Sequence, residues 1–388
     1  MGIRESRAKD IGHGLFFAWL IYEKVKAKMK ICFVGPADSA HMKKWCNWFS
    51  NNGHEVHVIS FVEGNIPSAT VHVITANEDG SGSDLSKIRY LLCGRKIKKV
   101  IREIEPDIVN VHYATSYGAS IALSGLKGYF LSVWGKDIYE FPRKSVFHKL
   151  LLEYSLNRAS HLFSTSLAMA NEAAKYTNQN FTITPFGVDM NLFNPDKRRQ
   201  ENEHVFTVGT VKSLSDKYGI RNILEAVAKI NDSHDIKVAL RIAGDGPQKE
   251  EYQKLSINLG IDRITTWLGY ISQEEAAKEW ANMDIAIIPS TVDSESFGVS
   301  AVEAQACGTA MIISDIPGLM EVADGNAKII KRNDTDALVD AIEQLYYNKE
   351  LRKKLGQDGR ENVLKKYDIN DCFQKIESYY EEHKGELA

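Results

Sequence analysis

The sequence predicts an α/β protein made of two successive parallel-sheet units, and three observations carry that prediction. The first is length: 388 residues exceed what one hydrophobic core ordinarily organises, so two domains are expected, with a cleft between them. The second is rhythm. From Met29 onward apolar runs alternate with glycine or polar turns and amphipathic stretches, the order that parallel strands and crossover helices produce. The third is that this rhythm breaks at a polar stretch, 195–204 (PDKRRQENEH), and then restarts.

The first unit opens at 30–34 (KICFV), an apolar run suited to a strand buried on both faces. A helix over 40–51 and a strand over 55–60 (EVHVIS) follow, with further strands expected at 70–74, 107–111, 129–133, 161–164 and 181–184. Beyond the polar stretch, strands are expected at 205–211 (VFTVGTV), 237–243 (KVALRIA), 264–268, 284–288 (DIAII) and 310–314 (AMIIS). Helices fall near 219–231, 247–259, 273–282 and 298–307, and the tail from Asp334 to about His383 reads as helix throughout. The expected division is an extension over 1–28, a Rossmann-like domain over 29–195, a second over 196–368, and a final helix, 369–388, crossing back to the first.

Composition excludes more than it identifies. Hydrophobic residues make up 44% and charged residues 26%, an ordinary globular balance, and a net charge of −3 offers nucleic acid no general attraction. The five cysteines are odd in number and never spaced C-x-x-C, which argues against a disulfide framework or a zinc site and suits a reducing cytoplasm. Residues 14–22 (GLFFAWLIY) follow Arg4, Arg7 and Lys9 like a signal sequence. They lack a small-residue cleavage site and are too short to span a bilayer, so they read as an extension or an interfacial helix. Residues 87–102 (KIRYLLCGRKIKKVIR) form a basic amphipathic stretch, either a solvated surface helix or a contact for an anionic membrane surface; the second reading is preferred. Neither Val34 nor Val211 is followed by G-x-G-x-x-G, which disfavours hydride transfer with a dinucleotide.

The most informative stretch is 294–303 (SESFGVSAVE), directly after the apolar strand 284–288. A helix starting near Gly298 presents free backbone N–H groups at the carboxyl end of the sheet, where phosphates bind in open α/β folds. Glu295 precedes that helix and Glu303 lies one turn inside it; carboxylates there suit sugar hydroxyls, although acidic residues near a helix start can also merely complement its dipole. Lys217 follows the strand 205–211 and can supply positive charge to a diphosphate, or can be a solvated loop lysine. Gly244-Asp245-Gly246-Pro247 is a strand-to-helix turn, a weak signal alone. Asp334-Thr335-Asp336, the one D-x-D, reads as a helix cap rather than a metal site.

Together these residues resemble glycosyltransferase family 4, retaining enzymes of the GT-B fold. The matching pieces are E-x7-E at Glu295 and Glu303, the AGDGP turn at 243–247, Leu268-Gly269-Tyr270-Ile271, the Lys217 loop, and Phe186-Gly187-Val188-Asp189 at the domain junction. The resemblance implies a nucleotide-sugar donor, UDP-linked by preference, and a saccharide or lipid-linked acceptor in cell-surface glycan synthesis, with no cofactor and no metal. It implies that Glu303 binds the donor ribose, that Glu295 contacts the transferred sugar, and that backbone amides at Phe297, Gly298 and Val299 meet the sugar and diphosphate. Gly269, Tyr270 and Ile271 would hold the base, with Gly244 beside them, and Lys217 the diphosphate. The family commonly places an arginine where this chain has Thr210, leaving Lys212 as the nearest cation. On the acceptor side stand Gly35 after the first strand, His112, and the segment 132–137 (SVWGKD), where Trp134 replaces the family's usual histidine and Asp137 remains a catalytic candidate. The rival readings are a nucleotide-sugar epimerase of the same architecture and a non-catalytic saccharide-binding protein.

Overall fold

The structure is a computed structural model whose described residues are 28–74, 90–198, 205–232 and 236–388. The apolar run 14–22 and residues 87–89 of the basic stretch lie outside them.

Two parallel sheets form. The first holds β1 (Lys30–Val34), β2 (Glu55–Ser60), β3 (Thr70–Val73), β4 (Ile108–His112), β5 (Phe130–Val133), β6 (His161–Ser164) and β7 (Phe181–Ile183), in the order β3-β2-β1-β4-β5-β6-β7. The second holds β8 (Thr207–Val211), β9 (Ala239–Ala243), β10 (Thr265–Gly269), β11 (Ile285–Ile288), β12 (Ala310–Ser314) and β13 (Lys328–Ile330), in the order β10-β9-β8-β11-β12-β13. Both orders run outward from the first strand in one direction, then resume on its other side, which is doubly wound Rossmann topology. The restart heard in the sequence is therefore a repeat of topology. Each sheet has a switch point, between β1 and β4 and between β8 and β11, where a crevice opens at the carboxyl ends.

Central strands β4, β5, β11 and β12 are buried along their whole length because helices cover both faces. Edge strands are only half covered. One of them, β13, was not anticipated: three residues carry no readable period, and Ile329 is half-exposed at the sheet edge.

The tail is helical over Thr335–Tyr347, Lys349–Lys366 and Ile369–Glu382. The Asp334 side chain caps the first of these, accepting the Ala337 N–H at 2.9 Å. The chain then crosses back at a single bridge, in which Val188 N–H donates to Tyr367 O and Ile369 N–H donates to Val188 O. Beyond it, the helix Ile369–Glu382 buries Cys372, Phe373, Ile376 and Tyr380 among Phe33, Trp45, Phe49, Phe130 and Phe163 of the first domain. Buried polar contacts fix its register: Asn110 donates to Tyr380 Oη, and His54 Nε2 lies 2.8 Å from Glu377 Oε1.

The domains also touch directly. Ser166 Oγ donates to Ser296 O at 2.6 Å, and the Glu321 carboxylate accepts the Leu167 and Ala168 N–H groups at 2.8 and 2.7 Å.

Candidate functional site

The site starts from where β8 and β11 end. Beyond Ile288 the chain runs through a loop to Gly298 and into the helix Val299–Ala306. Gly298 turns there with φ 73°, and a Cβ at this position would meet Leu319 Cδ2 at 2.5 Å, so both backbone and packing require glycine. Ser300 Oγ donates to Val211 O at 3.0 Å, tying the helix start to the end of β8. The backbone N–H groups of Phe297, Gly298, Val299 and Ser300 find no acceptor among the described residues, leaving a cluster of donors at the positive end of the helix dipole.

Charged groups surround that helix start. Lys212 Nζ and Glu295 Oε1 pair at 2.7 Å, each side chain only about a tenth exposed. Two ammonium groups approach the Tyr218 ring, Lys212 at 4.7 Å and Lys217 at 4.8 Å from its centroid. Lys217 has no carboxylate partner among the described residues, so its charge is free to meet an anion. Its loop is pinned by Thr291 N–H donating to Lys217 O. Gly244 serves the same loop: a Cβ there would lie 1.9 Å from Lys212 O, so only a glycine lets the 243–247 turn press against it. Gly244 N–H donates to Gly269 O, joining that turn to the end of β10, where Tyr270 is 87% exposed and Ile271 packs inward.

Glu303 is partly buried and accepts a hydrogen bond from Trp280 Nε1 at 3.2 Å. Burial pushes its carboxyl above the usual carboxylate range, against the opposing pull of Lys44, Trp280 and Lys212. Lys44 comes from the other domain, on the helix Ala40–Asn51, and donates to Gly187 O at the domain junction at 2.9 Å. Its ammonium is pulled below its usual range by burial and held up by Glu303 and Asp189. Sequence reasoning missed Lys44, because beside Lys43 it reads as part of a solvated pair.

The first domain presents aromatic surface. Gly35 follows β1, its N–H donating to Ile59 O, with Met42 and His112 packed against it. Trp134 lies edge-on to His41, His112 and Phe186, and His41 stacks flat on Phe186 at 4.1 Å. Two expectations are corrected here. His112 does not line the cleft; it is fully buried between Phe33, Trp45 and Trp134, and burial lowers it to about 3. Burial also lowers His41, to about 4, so neither imidazole is charged near neutral pH. Asp137, expected as catalytic, is fully buried with its carboxylate turned to the backbone, accepting N–H groups of Ala114, Trp134 and Gly135. It lies in the first turn of the short helix Lys136–Tyr139 and ties the turn after β5 to Ala114. Thr210, where the family's arginine is absent, is buried with its hydroxyl unpartnered among the described residues.

A cavity of about 840 Å³ opens elsewhere, at the amino ends of β8, β11 and β12. Two of its ion pairs are internal, Arg241 with Glu279 and Arg198 with Asp284, and it lacks the convergent helix start of the cleft.

Two Rossmann-like domains with switch points facing across such a cleft define the GT-B class of architecture; architecture alone does not define an activity. Comparison with known proteins supplies it. The family model described as "Glycosyl transferase 4-like" matches residues 30–166, and "Glycosyl transferases group 1" matches 194–362. The chain belongs to this glycosyltransferase family, of the family 4 type. The N-acetyl-alpha-D-glucosaminyl L-malate synthase of Bacillus anthracis is 25% identical, covering 85% of this chain and 90% of that protein. Among solved structures, sucrose-phosphate synthase from Thermosynechococcus elongatus superposes with a TM-score of 0.75 at 18% identity, covering 92% of this chain and 99% of the other. Anabaena HepE in complex with UDP and glucose gives 0.74 at 18% identity, covering 90% and 99%. At such identity these two structures share the fold.

Proposed function

We propose that this glycosyltransferase takes its sugar from a nucleotide donor, UDP-linked by preference, and transfers it with retention of configuration to a saccharide or lipid-linked acceptor of a cell-surface glycan. The observation that carries the reading is the unpartnered N–H cluster at 297–300, set between the free Lys217 ammonium and the carboxylates of Glu295 and Glu303. A diphosphate fits the donors and the ammonium; sugar and ribose hydroxyls fit the carboxylates. HepE was solved with UDP and glucose, which supports the choice of donor class.

The chemistry then follows from charge. The bond between the anomeric carbon and the diphosphate oxygen breaks, its electron pair leaving on the diphosphate. The acceptor oxygen bonds to the same face of that carbon, and its proton passes to the departing phosphate oxygen. Lys217, Lys212 and the helix start stabilise the charge that builds on the leaving group, the part a metal fills in other transferases. Glu295, held by Lys212, is placed to bind the transferred sugar, and Glu303 the ribose. Incubation with UDP-, GDP- and ADP-sugars, with NMR assignment of the product anomer, tests this. Release or transfer from one donor with its configuration kept agrees; an inverted product, or an epimerised donor released intact, refutes it.

Glu303 gives the reaction a pH dependence. Its carboxyl lies above the usual range, so on acidification it takes up a proton earlier than an exposed carboxylate. The ionised form accepts on both oxygens with charge assistance, whereas protonation removes the charge and turns one oxygen into a donor. Donor affinity is therefore full at alkaline pH and falls as pH drops through that raised value. Glu303→Gln is expected to bind more weakly at neutral pH and to lose the acid limb, as measured by calorimetric titration across pH.

The acceptor's membrane context has support in the first domain. No described helix is long and apolar enough to cross a membrane. The helix Gly94–Ile104 turns its apolar face, Ile97, Ile101 and Ile104, into the core, so its outward face carries the cations Arg95, Lys96, Lys99 and Arg102 with one carboxylate, Glu103, which pairs with Lys99 at 3.7 Å. Beyond the adjoining helix Tyr117–Ser124, the helix Val146–Arg158 exposes Val146, Phe147, Leu150 and Tyr154. Cations and exposed apolar groups on helices of one domain, a single helix apart, suit an anionic bilayer surface. At about 1 kcal/mol per basic residue, Lys96→Glu/Lys99→Glu is expected to weaken co-sedimentation with anionic vesicles at least tenfold. Unchanged binding would remove this contact.

A further inference from the structure

On the side away from the cleft, at the amino ends of the first sheet, residues 383–388 lie against the strand starts. Lys127 and Ala388 exchange both backbone hydrogen bonds at 3.1 Å, and a Cβ on Gly128 would stand 1.9 Å from Glu386 O, so the segment is seated directly on the domain. This seating gathers three metal-binding side chains from separate parts of the chain: His161 at the first residue of β6, His383 just past the helix Ile369–Glu382, and Glu386. His161 Nε2 lies 2.8 Å from Glu386 Oε2, His383 Nδ1 lies 2.8 Å from Oε1, and the donor atoms all fall within 4.8 Å of one another.

The rings are held from behind. His161 stacks on Phe130 at 4.7 Å and its Nδ1 faces Tyr379 Oη at 3.5 Å, leaving Nε2 directed at the carboxylate. Such outer contacts orient an imidazole for a metal. The His161 and His383 rings are 4.1 Å apart and tilted by 37°, and one nitrogen of each lies 2.8 Å from an oxygen of the same Glu386 carboxylate. Two imidazole nitrogens and a carboxylate oxygen form a borderline donor set; it suits zinc, whereas calcium and magnesium call for oxygen alone. Zinc bonds of about 2.0–2.2 Å place tetrahedral ligand atoms about 3.3 Å apart, so the 2.8 Å nitrogen–oxygen pairs must open slightly and the wider separations, within 4.8 Å, must close for an ion to enter. All three side chains keep some exposure, so water can complete the shell.

We infer that His161, His383 and Glu386 bind a single zinc-type divalent cation that clasps residues 383–388 to the first domain. The site is separate from the cleft, because His161 begins its parallel strand and the cleft lies where the strands end. Its role is to secure the returning tail, and sugar transfer is not routed through it.

The test uses the full chain, purified without a polyhistidine tag, titrated with Zn²⁺ against a chromophoric chelator and with Co²⁺ followed in the visible region. Wild type should take up one equivalent of Zn²⁺, and its Co²⁺ form should show four-coordinate absorption. His383→Ala and Glu386→Gln should each lower affinity at least tenfold while keeping the wild-type circular dichroism spectrum. Zn²⁺ should raise the melting temperature of wild type and not that of His383→Ala. His161→Ala risks disturbing β6, so the two tail variants decide. No stoichiometric binding, or binding unchanged in both, would overturn the site and show a His–Glu–His hydrogen-bond contact only.

Discussion

Lys217→Ala is expected to lower kcat/KM for sugar transfer by about two to three orders of magnitude, the usual cost of removing one preorganised electrostatic contact to a developing anion. The size follows from what surrounds the ammonium. Lys212 is already paired with Glu295, so its charge is partly committed; Lys217 has no carboxylate partner among the described residues and faces only the Tyr218 ring. Most of the loss should fall in kcat, because charge on the diphosphate grows as the sugar departs. Lys217→Arg keeps the charge but alters its reach, so it should recover part of the activity. A loss under fivefold in steady-state kinetics would place the diphosphate elsewhere.

The second large effect concerns the returning helix. His54 Nδ1 accepts the Met29 N–H at 3.1 Å, which leaves the ring's proton on Nε2, donating to Glu377 Oε1 at 2.8 Å. Both side chains are almost wholly buried. Glu377→Ala removes the acceptor, leaves a buried N–H facing a void, and should destabilise the first domain by about 3 kcal/mol. Glu377→Gln keeps an acceptor oxygen and should cost about 1 kcal/mol. Urea unfolding followed by first-domain tryptophan fluorescence reads both values. Equal losses in the two variants would mean that packing, not the hydrogen bond, holds the helix.

How much of this was legible in the sequence depends on the range of each interaction. Strand starts and ends such as Lys30–Val34 and Ala310–Ser314 follow from local apolar runs, and they sit where the pattern placed them. The Gly298 turn and its helix were legible because a glycine, a preceding strand and helix periodicity are all local signals. Side-chain direction was not. Asp137 and His112 lie just past one strand and at the end of another, positions that suggest a cleft, but Asp137 turns to three backbone amides and His112 into a cage of aromatic rings. Lys44 shows the complementary failure. Its meaning comes from Gly187 at the domain junction and from Glu303 of the second domain, neither of which is near it in the sequence. The same holds for the basic stretch, whose apolar face looked available to a membrane and is spent on the core.

Calorimetric titration of UDP-, GDP- and ADP-sugars into wild type and Glu303→Ala tests the donor site most directly. The account predicts that one nucleotide sugar binds wild type with a stoichiometry of one and binds Glu303→Ala at least tenfold more weakly, in line with the loss of a charge-assisted hydrogen-bond acceptor. Failure of every nucleotide sugar to bind, or equal binding by the two proteins, would contradict it and move the donor away from the helix Val299–Ala306.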